Sequence, residues 1–179
     1  MLRRFLEERL KKGPILKKLK EEIFKATTEL LDSEKFIERL REDLERNMNY
    51  YALIISPFLK KDTVYNFCNF RETRNALKGG KKIVVVTRLP SEVNNPKDHE
   101  YCIKILEDRG IKVVKQPKFH FKAVIIDDLI IYIGSINPLY IVTGEDYYAD
   151  YMIRFVSEVL VDEILRTFAP DYEKWLETA

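Results

Sequence analysis

Apolar positions along the chain change their spacing, and each change predicts an element. Over residues 1–31 they recur at helical spacing, interrupted at Gly13-Pro14, where proline favours the start of a second helix. Asp32 or Ser33 fits an N-cap, and Phe36, Ile37, Leu40 and Leu44 continue the helical period. YYALIISPFL is then an apolar run of strand length closed by Ser56-Pro57. Residues 62–78 read as helix, stopped at Gly79-Gly80. KKIVVVTRLP is a second strand, residues 89–97 a proline- and asparagine-rich loop, HEYCIKILEDRG a helix with its glycine stop, and IKVVKQP a third strand. Strands 121–126 and 129–133 follow, joined by Asp127-Asp128 as a tight hairpin, and Tyr151 to Phe155 gives one more. Residues 157–177 close as an amphipathic helix with Val159, Leu160, Ile164, Leu165 and Phe168 facing inward.

Strands written as continuous apolar runs, alternating with helices, predict a sheet covered on both faces. The expected fold class is α/β, an α-β-α sandwich with a mixed, largely parallel sheet. The expected domain spans 33–179, preceded by a helical extension over 1–32. No internal repeat, phosphate-binding P-loop or Gly-x-Gly-x-x-Gly is present.

Composition narrows the class. Hydrophobic residues are 46% and charged residues 34% of 179, enough for one globular domain with a real core. Gln116 is the sole glutamine amid abundant Lys, Arg and Glu, a balance that hints at a thermophile. No apolar run reaches about 18 residues, so no transmembrane helix is expected. The first residues lack the apolar core of a signal peptide, and the expected location is the cytoplasm. Cys68 and Cys102 fit no metal spacing and read as small buried hydrophobes.

The net charge of +2 conceals an uneven distribution. Residues 60–88 hold eight Lys/Arg against two acids, whereas residues 127–179 hold three against eleven. Residues 1–25 and 104–122 are also basic. Such segments suit a phosphate backbone, though any one of them reads more plainly as a solvated helix face.

Candidate chemistry lies in HFKAVIIDDLIIYIGSIN, residues 120–137. His120 and Lys122 are two apart and project to the same side of an extended chain. An imidazole is a nucleophile or proton carrier near neutral pH, and a neighbouring ammonium suits a phosphate oxygen. If the hairpin pairs its strands, Gly134, Ser135 and Asn137 return beside His120 and Lys122. A hydroxyl, an amide and a lysine then surround one histidine as donors around an anion. Asp127 is an odd number of residues from His120 and faces away. His99, the other histidine, lacks a lysine partner and is expected at the surface.

His120, Lys122, Asp127, Gly134, Ser135 and Asn137 meet every fixed position of His-x-Lys-x4-Asp-x6-Gly-Ser-x-Asn. In this the chain resembles the phospholipase D superfamily, and residues from about 33 to 168 resemble one half of that fold. The resemblance implies a metal-independent phosphodiesterase without cofactor, working through a phosphohistidine. It implies His120 as nucleophile or acid, and Lys122, Ser135 and Asn137 as phosphate binders. Asp127 is implied to be structural, and Asp150 to stand where the family often has a glutamate that orients the histidine. Arg88, at a strand end, Lys118 and Gly134 complete the residues expected at the substrate. One chain carries one motif, so the resemblance implies a homodimer that shares the site, as in single-motif nucleases of the superfamily. Nucleic acid is the expected partner, DNA ahead of RNA, with no membrane. Tyr50, Tyr51, Tyr147 and Tyr148 are candidates for base stacking or for the core. The alternative is a docking or dimerisation module without turnover, related to phospholipase D-like domains of helicase-type proteins.

Overall fold

The computed structural model describes residues 28–142 and 150–177. Seven strands form one sheet in the order β1-β7-β6-β5-β2-β3-β4. In chain order they are β1 (Thr28–Leu31), β2 (Tyr51–Ile55), β3 (Lys82–Arg88), β4 (Lys112–Gln116), β5 (Ala123–Ile126), β6 (Ile130–Gly134) and β7 (Met152–Val156). The helices are α1 (Ser33–Arg46), α2 (Lys61–Asn69), α3 (Arg71–Lys78), α4 (Pro96–Asp108), α5 (Glu158–Phe168) and α6 (Tyr172–Glu177).

The predicted α-β-α sandwich is present. Phe36, Leu40 and Leu44 of α1, Phe67 of α2 and Leu106 of α4 pack with Ile54, Val85 and Ile126 on one face. Val161, Ile164 and Leu165 of α5 pack with Leu53, Val84 and Ile125 on the other. Alternate residues of each central strand thus feed two cores, which is why these strands read as unbroken apolar runs. Cys68 and Cys102 are free and buried, as expected.

Four expectations change. The sheet is mixed, but parallel pairing is confined to β2–β3 and β3–β4, and the other pairs are antiparallel. Antiparallel strands covered on both faces write the same apolar runs, so the largely parallel reading overestimated that share. Residues 28–31, expected as helix, are the edge strand β1 on β7, so the sheet starts before residue 33. The rest of the predicted helical extension, residues 1–27, lies outside the described residues. Helix 62–78 divides at Phe70, whose extended backbone separates α2 from α3. The closing helix expected over 157–177 divides into α5 and α6, and in α5 Val161 turns inward while Val159 and Phe168 are exposed.

A buried polar network fastens α1 to the sheet. Asp43 is fully buried and accepts hydrogen bonds from Arg154 Nε and Nη2 at 2.7 and 2.9 Å, and from the Tyr132 hydroxyl. Arg154 Nη1 also reaches Glu29 on β1 at 3.0 Å, and Arg39 Nη2 reaches the same carboxylate at 2.9 Å. Opposite charges alternate here, and Asp43 and Arg154, the buried charges, each have an opposite charge at hydrogen-bond distance.

The β5–β6 turn carries Asp127 and Asp128 at φ +50° and +53°, a left-handed geometry that Asp tolerates better than most residues. The Asp127 carboxylate accepts from the backbone N–H of Asn49, Tyr50 (2.9 Å) and Tyr51 (2.8 Å). It locks the start of β2 to the hairpin, at the far end of the sheet from His120.

Candidate functional site

The site forms where β2 and β3 end. These are the carboxyl ends of parallel strands, where open α/β sheets place ligands. Ala123 pairs with Ile133, so Gly134 returns beside Lys122 as the hairpin reading requires. His120 and Lys122 themselves lie just ahead of β5 in irregular backbone, not on the strand.

His120 is exposed, whereas Lys122 is 8% exposed. Lys122 Nζ lies 2.9 Å from His120 Nε2 and donates to the His120 carbonyl at 3.0 Å. An ammonium only donates, so Nε2 accepts and the imidazole is neutral with its proton on Nδ1. The charge of Lys122 lowers the His120 pKa, with burial and Arg88 adding to the effect. Burial in turn lowers the pKa of Lys122, opposed by the charge of Asp150 and reinforced by Arg88. Arg88, the last residue of β3, donates from Nε to the Phe119 carbonyl at 2.7 Å, with its guanidinium 5.0 Å above the Phe58 ring. Two cationic side chains therefore stand by a neutral imidazole, where a tetrahedral anion would offset the charge of the two cations.

Ser135 Oγ accepts from Tyr151 N–H at 3.0 Å, which leaves its own proton to donate. Asn137 has a buried Oδ1 with no partner among the described residues. Gly134 has a packing reason: a Cβ there would stand 2.1 Å from the Tyr151 carbonyl. Asp150 is half-buried and acts on Lys122 through its charge. Lys118 is exposed, at φ +52°, and its backbone N–H donates to Glu92 at 2.8 Å.

Other expectations fall elsewhere. Tyr50 and Tyr51 sit by the Asp127 turn, away from His120, and Tyr51 donates to Asp128. Tyr147 and Tyr148 lie outside the described residues. His99, expected at the surface, is 3% exposed. Its Nε2 lies 3.1 Å from the Arg88 carbonyl and 3.2 Å from Thr87 Oγ1. A carbonyl only accepts, so Nε2 carries the proton and His99 anchors α4 to the strand end that presents Arg88. Burial lowers its pKa.

Sequence reasoning did not assign a role to Phe58, whose ring touches the site's other members edge-on. Its centroid is 6.4 Å from His120 and 6.5 Å from Tyr140. Ser56 closes the strand and, as the first residue of SPF, belongs to the resemblance. Its hydroxyl bridges Phe58 and Leu139, at 2.8 and 3.0 Å, and ties the turn after β2 to the turn after Asn137. SPF after the first long strand supports the resemblance to the fold, but the sequence gives no individual role for Phe58.

Among the described residues, no group of three or more His, Cys, Asp or Glu gathers as a metal site, and no helix is long and apolar enough to cross a membrane.

The chain has the phospholipase D-like fold. It superimposes on Nuc from Salmonella typhimurium, a phospholipase D family member, with a TM-score of 0.62 at 14% identity, covering 82% of this chain and 94% of that one. NucT from Helicobacter pylori gives 0.60 at 15% identity, covering 84% and 95%. TrmBL2, an archaeal chromatin protein that binds DNA, gives 0.53 at 15% identity, covering 97% and 65%. No protein-family model matches the chain, and no curated protein matches it by sequence.

Proposed function

We propose that the chain is a metal-independent phosphodiesterase that cleaves nucleic acid through a phosphohistidine, with the site completed by a second copy. The observation that carries this is Lys122 Nζ 2.9 Å from His120 Nε2, with the charges of Lys122 and Arg88 both lowering the His120 pKa. Those two cations meet the charge of a phosphodiester, and Ser135 and Asn137 supply further donors. The His120 nitrogen then forms the N–P bond as the P–O bond to the leaving alkoxide breaks. An imidazolium, the second copy's His120, gives its proton to that alkoxide. Water next attacks phosphorus, the N–P bond breaks, and the imidazole of the second copy takes the water's proton. The bound phosphate supplies the negative charge that allows one of two imidazoles to stay protonated. Asp150 moderates the local positive charge. The second copy follows from chemistry: the mechanism needs two histidines, and the other histidine of this chain, His99, is buried and committed to β3.

Nucleic acid as substrate rests on the phospholipase D-like fold and the basic segments 60–88 and 104–122. The likeness to TrmBL2 favours a second reading, a DNA-docking module with little turnover. One experiment separates the two. Wild type and His120→Ala are incubated with labelled single- and double-stranded DNA and RNA in excess chelator. Cleavage by wild type alone supports the enzyme. Binding by both proteins with no cleavage supports the docking module. Cleavage abolished by chelator and restored by magnesium contradicts the metal-independent mechanism.

A further inference from the structure

A second cavity, of about 500 Å³, opens beside the candidate site. Phe58, Lys60, Lys61, Asn94, Asn137 and Tyr140 are among its walls. Its size lies within the range of ligand pockets, on the order of 300–1,000 Å³. Two pinned turns form it. Lys60 N–H donates to the Leu139 carbonyl at 2.8 Å, and Leu139 N–H donates to Ser56 Oγ at 3.0 Å. The Tyr140 N–H closes its own turn onto the Asn137 carbonyl at 3.0 Å. The walls are therefore held in place without an occupant. Tyr140 is 41% exposed at this cavity, and its ring stands at 72° to that of Phe58.

We propose that this cavity receives an unpaired nucleobase of the strand whose phosphate lies at His120, stacked on Tyr140. The reasoning rests on the phosphodiesterase reading above and names its substrate as single-stranded nucleic acid. The Phe58 ring neighbours both His120 and Tyr140, with centroids 6.4 and 6.5 Å away, so the proposed phosphate position and the cavity share one aromatic neighbour. That is the relation of a backbone phosphate to its own or its neighbour's base. Nucleobases have a flat π-face for the tyrosine. A base inside a duplex does not have that face free, and drawing it out requires unstacking. Lys60 and Lys61 at the rim suit an adjoining backbone phosphate.

The test uses two labelled strands of equal length, an ordinary single strand and a baseless strand of tetrahydrofuran phosphates. Dissociation constants are read by anisotropy with the His120→Ala protein, which binds without turnover. The ordinary strand is expected to bind about tenfold tighter, in line with one stacked base. In His120→Ala/Tyr140→Ala that ratio falls to near one, and in His120→Ala/Tyr140→Phe, which keeps the ring, it stays. Equal affinity for the two strands, a ratio that survives Tyr140→Ala, or no binding of either strand overturns the proposal. Cleavage by wild type is followed separately, so loss of the nuclease reading and loss of the base pocket are distinguishable.

Discussion

Two clusters of charged side chains flank the same hairpin and follow opposite rules. Around Asp43, cation and anion alternate: Arg154 lies between Asp43 and Glu29, and Arg39 closes on Glu29. Around His120, positive groups gather. Lys122 is buried beside the imidazole, Arg88 lies over the Phe58 ring and acts on His120 through its charge, and no carboxylate hydrogen-bonds to either cation among the described residues. The first arrangement satisfies charges that folding has taken out of water. The second leaves charge that the proposed phosphate would satisfy. Fully paired charge therefore goes with architecture here, and unpaired buried charge with the candidate site.

Four perturbations sharpen or break that contrast. The largest expected effect is on turnover. His120→Ala should reduce cleavage on the order of 10⁴-fold or more. Its stability in urea should stay within about 0.5 kcal/mol of wild type, as for an exposed side chain. A comparable loss of stability would place His120 with the architecture. Next, Asp43→Ala strands Arg154 in the interior and should lower unfolding free energy by about 3–5 kcal/mol. Urea midpoints for this variant near the wild-type value would show that the buried network is dispensable.

Lys122→Met comes third. It should lower kcat by about 10²–10³-fold, as for loss of one charge-stabilising donor, without destabilising the fold. It also removes the charge that chiefly depresses the His120 pKa, so the acidic limb of the kcat/KM profile should move to higher pH. An unmoved limb would mean that His120 does not govern it.

The smallest effect concerns His99. Its folded-state pKa is depressed by burial, so it binds a proton more readily when unfolded. Its contribution is complete above the ordinary histidine pKa of about 6.5 and is lost as pH falls from there through the folded value. His99→Gln should flatten the decline of unfolding free energy between pH 7 and pH 5, and an identical slope in both proteins would contradict this.

The sequence made the site more legible than its surroundings, for physical reasons. The Asp127-Asp128 turn and the spacing from His120 to Asn137 are local, and local chemistry fixed the register that returns Gly134 beside Lys122. Burial depends on distant neighbours. His99 is covered because α4 docks on the end of β3, and nothing near position 99 in sequence reports that contact. Val159 and Phe168 are apolar yet exposed, and Val161 takes the inward place, so helical period alone did not set the phase of α5. Thr28–Leu31 becomes strand through pairing with β7, more than a hundred residues away, which outweighs its helical pattern. Strand direction was illegible for the same reason: β5 and β6 are as apolar as β2 and β3 because both faces are covered.

With two histidines in the chain, imidazole NMR reads the central claim directly. The account predicts that His120 titrates below the ordinary histidine range in the free protein. Adding inorganic phosphate should raise that value, because the anion offsets Lys122 and Arg88, and should leave His99 unmoved. A His120 that titrates at or above the ordinary value and ignores phosphate would contradict the claim that this cluster is left positive in order to bind a phosphate.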